Sequence, residues 1–233
     1  MGISMTDANE PKRALVIGAH PDDNEFGAGA TTAKLAAQGW EVTFIIVTNG
    51  NKGTHDLDLS PYRLSELREQ EQLAAAKVLG VKQVIFLRNN DGEIEASYAL
   101  RSEIALYIRH LKPHRVYTHD PWRPYMFHPD HRAVGFSVVD GVVSARDHLF
   151  MPGLRQIGID LWRPEGLYLW SAEKPDYVED VSGYVDQKIA ALHEHRTQLS
   201  ANTSWEGRVR ENMAKLGAEH GFEAGEAFKL MPC

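Results

Sequence analysis

Residues 13–29 read RALVIGAHPDDNEFGAG, an apolar run that passes through a turn rich in histidine and carboxylates into a stretch of small residues. The apolar run predicts a strand over Arg13–Gly18, and the small residues predict a helix over residues 28–38 that ends at Gly39. A strand that leads directly into a helix is typical of a parallel α/β sheet. The polar turn falls at the carboxyl end of the strand, where such sheets bind ligands.

The same alternation continues along the chain. Further strands are predicted over residues 41–47, 83–87 and 115–118, and further helices over residues 63–79, 98–111 and 130–144. Because right-handed crossovers lay each helix back on the sheet, this pattern predicts a Rossmann-like, doubly wound, mostly parallel α/β sheet with helices on both faces. A strand order of 3-2-1-4 places the first and fourth strands side by side, with a crevice beyond their carboxyl ends.

The last third of the chain is less regular. It predicts a loop over residues 150–164, a strand over Gly166–Trp170, and helices over residues 185–199 and 209–219. Since no Ser- or Gly-rich linker is visible, residues 13–233 are interpreted as one domain and residues 1–12 as a flexible amino-terminal segment. Apolar residues of this third, such as Trp162 and Phe228, exceed the needs of one core and predict a homo-oligomer.

The composition is that of an ordinary globular protein, with 43% hydrophobic and 24% charged residues. A formal net charge of −7 argues against nucleic acid as a partner, because clustered Lys and Arg carry phosphate binding. The single cysteine, Cys233, allows neither an internal disulfide nor a cysteine metal cluster. Without a signal-peptide run or a membrane-length apolar window, we expect a cytoplasmic protein with no integral membrane association.

The turn after the first strand contains AHPDDNE, residues 19–25, with one imidazole and three carboxylates. A histidine and a carboxylate separated by a turn-fixing proline can bind one metal, which leaves the neighbouring carboxylate free for proton transfer. The alternative is a polar loop in which Asp22 and Asp23 cap the following helix.

A second constellation, HPDH at residues 128–131, lies where the fourth strand gives way to a helix. His128 and His131 are roughly one helical turn apart, and Pro129 suits the first helical position. Taken alone, such histidines are more often surface or capping residues than metal ligands. The predicted strand order brings both constellations to one crevice, however, and two histidines with one carboxylate form a catalytic type of zinc arrangement.

AHPDDNE followed by Phe26-Gly27-Ala28-Gly29, with HPDH downstream, resembles the PIG-L/LmbE-like family of zinc-dependent N-acetylglucosamine deacetylases. The resemblance implies His20, Asp23 and His131 as ligands of one Zn²⁺, with Fe²⁺ as an alternative metal.

The resemblance also implies Asp22 as the general base, His128 as a residue that faces the substrate, and Asp130 as the residue that orients His128. The implied reaction is hydrolysis of an N-acyl amide, most often N-acetyl, on an amino sugar. In that mechanism a protonated His128 stabilises the oxyanion. Members of the family are commonly homo-oligomers.

Three candidate substrate contacts have two interpretations each. Arg68 either contacts a substrate hydroxyl or phosphate, as the resemblance implies, or forms an exposed helix pair with Glu71 or Gln72. Asp91 is either a turn residue or a substrate contact beside the crevice. Tyr125 either stacks on a sugar or anchors its aromatic loop.

The remaining histidines are given no catalytic part. His55 and His119 are assigned no role, and four more are interpreted as solvated or capping residues: His110, His114, His193 and His195. Two other functions stay open. One is an amidase that acts on a larger thiol conjugate or other small amide, and the other is a non-catalytic sugar-binding protein on the same fold.

Overall fold

A computed structural model describes residues 10–201 and 204–233. The predicted flexible segment, residues 1–12, therefore falls almost wholly outside the described residues. The first elements are β1 (Arg13–Gly18), α1 (Asp23–Ala37), β2 (Glu41–Thr48), α2 (Pro61–Leu79), β3 (Gln83–Asn89), α3 (Tyr98–Leu111), β4 (Arg115–His119) and α4 (Pro129–Arg146). They are followed by α5 (Gly153–Gln156), β5 (Gly166–Trp170), β6 (Tyr177–Asp180), α6 (Val185–His193), α7 (Arg196–Leu199), α8 (Ser204–His220) and β7 (Gly225–Pro232).

The strands form one seven-stranded sheet in the order β3-β2-β1-β4-β5-β7-β6. The first five strands pair in parallel, whereas β7 runs antiparallel to both β5 and β6. The predicted order 3-2-1-4 and the mostly parallel α/β sheet are confirmed. Strand β1 lies between β2 and β4, with Val16 aligned to Phe44 on one side and to Tyr117 on the other.

The central strand feeds two cores because successive side chains of a strand point to opposite faces. Leu15 and Ile17 pack with apolar residues of α3 and α4. Ala14 and Val16 pack on the other face with apolar residues of α1, α2 and α6. Both cores are continuous with β1, which explains why the sequence of this strand is apolar without alternation.

Helix α2 ends where its sequence predicts, at Leu79, and begins at Pro61, two residues before the predicted start. The Ser60 side chain accepts a hydrogen bond from the Arg63 N–H at 3.2 Å, and Pro61 occupies the first turn. Gly80 ends the helix with a φ of 76°, a left-handed conformation that favours glycine. These caps fix the register of the helix that carries Arg68 towards the site.

The carboxyl-terminal third departs from prediction in four places. The loop expected over residues 150–164 contains the short helix α5. The single helix expected over residues 185–199 is two helices, α6 and α7, and the expected helix over residues 209–219 begins earlier, at Ser204. Strands β6 and β7 were not predicted. Both are short or interrupted by charged residues and proline, so they lack the alternating pattern that reveals a strand.

Helix α1 begins at Asp23, earlier than predicted, and is broken at Ala28, whose φ of −146° and ψ of 27° are not helical. The carboxylate of Glu226 in β7 enters this break and accepts hydrogen bonds from the N–H groups of Ala30 at 3.1 Å and Thr31 at 2.7 Å. The ammonium of Lys188 in α6 donates to the Phe26 carbonyl and to Glu226, each at 2.7 Å. A buried ion pair from the last third thus joins the two halves of the helix.

The glycine at position 27 allows a close approach between α1 and the sheet. A Cβ atom at this position would lie 2.3 Å from the ring of Trp170 in β5. Only glycine permits this contact without displacement of the indole.

Among the described helices, none combines the length and the apolar character that a bilayer crossing requires.

We predict that Lys188→Met destabilises the protein by about 3–5 kcal/mol, because the buried Glu226 carboxylate loses its counter-charge. The double variant Lys188→Met/Glu226→Gln should lose less stability than Lys188→Met alone, since no unpaired charge stays buried. Urea unfolding measures both values. The matched control is Lys229→Met, which removes an exposed pair with Asp176 and should cost less than about 1 kcal/mol. Equal losses at Lys188 and Lys229 would contradict the role given to the buried pair.

Candidate metal and proton-transfer site

The two sequence constellations meet at the carboxyl ends of β1 and β4. His20 follows β1, and His131 lies in the first turn of α4. The Nε2 atom of His131 is 3.3 Å from Nδ1 of His20 and 3.2 Å from Oδ1 of Asp23, and Nδ1 of His20 is 3.2 Å from Oδ2 of Asp23. A tetrahedral zinc site with bonds of about 2.0–2.2 Å places its ligand atoms roughly 3.3–3.6 Å apart. The two ring nitrogens and the Asp23 carboxylate, which turns one oxygen to each ring, therefore lie close enough together to hold one metal ion.

Neighbouring side chains also lie within ligand distance, in overlapping groups with ligand atoms no more than 4.8 Å apart. These groups are His20-His128-His131, Asp23-His119-His131 and His20-Asp91-Asp130. The hydrogen bonds of each ring distinguish a ligand from an orienting residue, because a ring nitrogen that carries a proton has no lone pair for a metal.

His119 is an orienting residue by this criterion. Its Nδ1 accepts a hydrogen bond from the indole N–H of Trp170 at 3.1 Å, and an indole can only donate. The proton of a neutral His119 ring therefore resides on Nε2, which lies 3.3 Å from Oδ2 of Asp23 and 3.3 Å from the backbone nitrogen of Ala19. Of these two neighbours only the carboxylate can accept a proton, so Nε2 donates to Asp23 and does not serve the Ala19 N–H as an acceptor. His119 holds the Asp23 carboxylate in place. Sequence reasoning assigned this histidine no role, although it ends the strand that precedes HPDH.

The ring of His20 is oriented from behind by two buried carboxylates. Its Nε2 is 3.1 Å from Oδ2 of Asp130 and 3.2 Å from Oδ1 of Asp91. Oδ2 of Asp130 also accepts the Gly92 N–H at 2.7 Å. A carboxylate on the far nitrogen of a histidine fixes its tautomer and leaves the near nitrogen, here Nδ1, for a metal. Asp130 thus orients His20, whereas the sequence predicted that it orients His128.

The carboxylates around His20 give its surroundings a negative charge, which suits a bound cation. Burial alone would lower the pKa of His20, but its hydrogen bonds with Asp130, Asp23 and Asp91 raise this pKa to about 12. Burial raises the pKa of Asp23, yet the nearby His119 and His131 hold it well below its usual range. A donor set of imidazole nitrogen and carboxylate oxygen surrounded by excess negative charge suits Zn²⁺ or Fe²⁺.

Asp22 faces a different neighbour from Asp23. It occupies the N-cap position of α1 with a φ of 105°, a left-handed conformation that is costly for a residue with a side chain, and it makes no side-chain capping hydrogen bond. Its Oδ2 lies 3.3 Å from Nη2 of Arg68. Burial raises the pKa of Asp22, and the Arg68 guanidinium offsets part of that rise. The adjacent aspartates therefore have opposite pKa shifts.

Of the three candidate substrate contacts, two are buried and one is exposed. Arg68 donates to the carbonyls of Pro21 at 2.5 Å and Gly50 at 3.0 Å and is 3% exposed, so its interpretation as an exposed helix pair is wrong. Asp91 lies against His20. Tyr125 is fully exposed and lines a cavity of about 380 Å³ together with five other residues: Arg123, Pro124, Ser171, Ala172 and Glu173.

His128 lies at the solvent-exposed edge of the cluster, with 40% of its side chain exposed. Its Nδ1 accepts the Asp130 backbone N–H at 3.3 Å, and its Nε2 is 3.9 Å from Oδ1 of Asp91. Burial lowers the pKa of His128, and positive charge at His20 and His131 lowers it further. The ring is therefore neutral at physiological pH, with its proton on Nε2.

Two histidines interpreted as solvated or capping residues are buried instead. His195, between α6 and α7, is 0% exposed, and its Nε2 lies 3.3 Å from Oε2 of Glu25. His114 accepts the Arg13 backbone N–H at 3.0 Å, which joins the starts of β1 and β4. Neither has a local sequence signal, because each partner is distant in the chain.

Residues 15–142 match the protein family described as PIG-L: GlcNAc-PI de-N-acetylase. Over 96% of its length the chain is 32% identical to a diacetylchitobiose deacetylase of Thermococcus kodakarensis, of which it covers 85%. It is 37% identical, over 83% of its length, to a protein of Escherichia coli K12 described as an uncharacterized deacetylase, of which it covers 95%.

A solved structure leads to the same family. The N,N'-diacetylchitobiose deacetylase of Pyrococcus horikoshii superposes with a TM-score of 0.90 at 33% identity, over 96% of this chain and 85% of that one. Identity at this level over nearly the whole chain accompanies the shared fold. The chain therefore belongs to the PIG-L family, whose family description is GlcNAc-PI de-N-acetylase.

Proposed function

We propose that the protein hydrolyses the N-acetyl amide of an amino sugar or an amino-sugar conjugate, which releases the free amine and acetate. The observation that carries this proposal is the pairing of two sites. Two imidazole nitrogens lie 3.3 Å apart, each 3.2 Å from one oxygen of the Asp23 carboxylate, and beside them lies a second carboxylate, Asp22, with a raised pKa. Hydrolysis of an amide needs an electrophilic centre and a base, and these two sites supply them. The names of the relatives, which act on N-acetylated sugars, support the substrate class.

Three side chains, His20, Asp23 and His131, hold the metal in this proposal, with Zn²⁺ as the expected ion and Fe²⁺ as the alternative. A bound divalent metal would polarise the acyl carbonyl and lower the pKa of water. Asp130 and Asp91 orient the His20 ring, and His119 orients the Asp23 carboxylate.

Asp22 is the general base. Its carboxylate takes a proton from the attacking water as the new C–O bond forms, and it returns that proton to the nitrogen as the C–N bond breaks. A raised pKa suits this double task, since a carboxylate whose pKa lies nearer the working pH is a stronger base in the first step and is still acidic enough to release its proton in the second. Arg68 keeps Asp22 ionised, because its guanidinium lies against Oδ2.

His128 donates a hydrogen bond from Nε2 to the oxyanion. The sequence predicted a protonated His128 supported by Asp130, but Nδ1 already accepts the Asp130 N–H, and a second proton there would break that bond. We therefore assign the neutral ring to this step. The exposed side of the ring faces the solvent from which the substrate arrives.

The exposed aromatic side chains beside His128 form the substrate rim in this proposal. Tyr125 and Phe127 are almost fully exposed, and the flat faces of aromatic rings pack on the C–H groups of sugars. The homo-oligomer, the cytoplasmic location and the single domain over residues 13–233 stay predictions.

The function is tested by metal analysis of the purified protein together with a panel of N-acetylated amino sugars. We expect about one bound divalent ion per chain, release of acetate from the sugars, and loss of turnover after chelation that Zn²⁺ restores. His20→Ala/His131→Ala should lose both metal and turnover, whereas His193→Ala, at an exposed position, should lose neither. Faster hydrolysis of thiol-conjugate amides than of N-acetyl sugars would favour the amidase alternative, and metal-loaded protein inert on both would favour a binding protein.

For Asp22→Asn we predict retained metal and a kcat lower by roughly 10²–10⁴-fold, because the amide cannot accept a proton. In the parent enzyme kcat should fall as pH drops through the pKa of Asp22. Burial raises that pKa, so the acid limb should lie at higher pH than the ordinary range of a carboxyl group. Asp186→Asn, at an exposed position, is the control. Simultaneous loss of metal and turnover in Asp22→Asn would make Asp22 a ligand instead.

For His128→Ala we predict a loss in kcat of roughly 10²–10³-fold, with KM and bound metal little changed, because a single oxyanion donor is removed. His128→Gln should retain more activity than His128→Ala, since an amide N–H can also donate. Since the donor is neutral, turnover should not decline as pH rises through the ordinary histidine range. A decline in that range that disappears in His128→Gln would show instead that the protonated ring of His128 is the donor.

A further inference from the structure

Both ends of the peptide unit between Pro21 and Asp22 are bound by one helix. Arg68 of α2 donates to the Pro21 carbonyl at 2.5 Å, and the side-chain carbonyl of Gln72 accepts the Asp22 N–H at 3.1 Å. Residues four apart in a helix lie on one face, so Arg68 and Gln72 approach the peptide from the same side. This peptide precedes the Asp22 Cα, where φ is 105°.

The orientation of the Gln72 amide is fixed by a second buried group. Its Nε2 donates to Oε1 of Glu25 at 2.6 Å, which directs its carbonyl oxygen towards Asp22. Oε2 of Glu25 lies 3.3 Å from Nε2 of His195. Gln72, Glu25 and His195 are each 0% exposed. Three segments distant in the sequence thus meet behind Asp22.

A left-handed conformation in a residue with a side chain is costly and persists only where its surroundings enforce it. Relaxation at Asp22 would rotate its carboxylate away from the attacking water. Arg68 touches that carboxylate directly, whereas Gln72 contacts Asp22 through the backbone N–H alone. Gln72 therefore acts on the base by fixing the backbone of Asp22, and its own side chain is held by Glu25.

We infer that Gln72 is a positioning residue, which holds Asp22 in its left-handed conformation and so aims the base, and that the Glu25-His195 pair locks Gln72 in the required orientation. This inference rests on the proposed function, because it takes Asp22 as the base. Gln72 contributes geometry and no proton. It should affect kcat and leave substrate and metal binding unchanged.

The test substitutes Gln72→Met, which keeps the volume of the side chain and removes both hydrogen bonds. We expect kcat to fall by about 10²-fold, the size of effect that a misplacement of about 1 Å can produce, with KM and metal content unchanged. A crystal structure of the variant should show Asp22 outside the left-handed region. The control is Gln70→Met, on the solvent-exposed side of the same helix, which should leave kcat unchanged.

A double-mutant cycle separates positioning from a structural role. In an Asp22→Asn background, Gln72→Met should lower the residual turnover no further, because the base that it positions is already absent. The swap Glu25→Gln/Gln72→Glu restores an acceptor for the Asp22 N–H and a donor to that acceptor. We therefore expect the swap variant to recover kcat to within about tenfold of the parent. This result tests the positioning role even if Gln72→Met fails to fold.

Three results would overturn the inference: equal kcat in Gln72→Met and Gln70→Met, additive losses in the cycle, or a folded, metal-loaded swap variant without recovery. Failure of the proposed function looks different. In that case Asp22→Asn itself would keep parental turnover. If Asp22→Asn loses turnover while Gln72→Met keeps the parental kcat, the positioning role is rejected and the proposed function stands.

Discussion

The break in helix α1 at Ala28 is the constraint on which the arrangement of the site depends. The short first part of this helix carries Asp23 and Glu25. Its direction is set where Glu226 caps the second part and Lys188 binds the Phe26 carbonyl of the first part. Both charges are buried, so each needs the other and the backbone groups between them. The irregular last third of the chain therefore holds the turn that carries His20 and Asp23 in position.

From this helix, contacts extend through the sheet to the ligand atoms. Glycine at position 27 lets Trp170 lie against α1, Trp170 fixes the tautomer of His119, and His119 holds the Asp23 carboxylate. Each step determines a single degree of freedom: a distance, a proton position or a carboxylate orientation. A substitution at Gly27 would thus act on the Asp23 carboxylate through Trp170 and His119.

Two adjacent aspartates can perform different tasks because the chain reverses between them. The left-handed turn directs Asp22 to Arg68 and Asp23 to three histidines, so burial dominates the pKa of the first and positive charge that of the second. Groups whose environments push their pKa values apart are typical of paired catalytic roles. Burial also decreases outward, from Asp130 at 0% exposed to Tyr125 at the rim, which matches a dry ligand layer beneath an accessible substrate surface.

The sequence by itself determined the sheet order and the meeting of the two constellations. Apolar runs and helix-ending residues are local signals for strands and helices, and in a parallel sheet of this order the carboxyl ends of the first and fourth strands lie side by side. Resemblance of the motifs was enough to name the family and the candidate ligands. What it could not provide were contacts between distant segments: β6 and β7, the orienting role of His119, the transfer of Asp130 from His128 to His20, and the buried groups behind Asp22. Only the tertiary structure decided these, since such a hydrogen bond or buried charge depends on partners that are far apart in the chain and leave no periodic pattern in either segment.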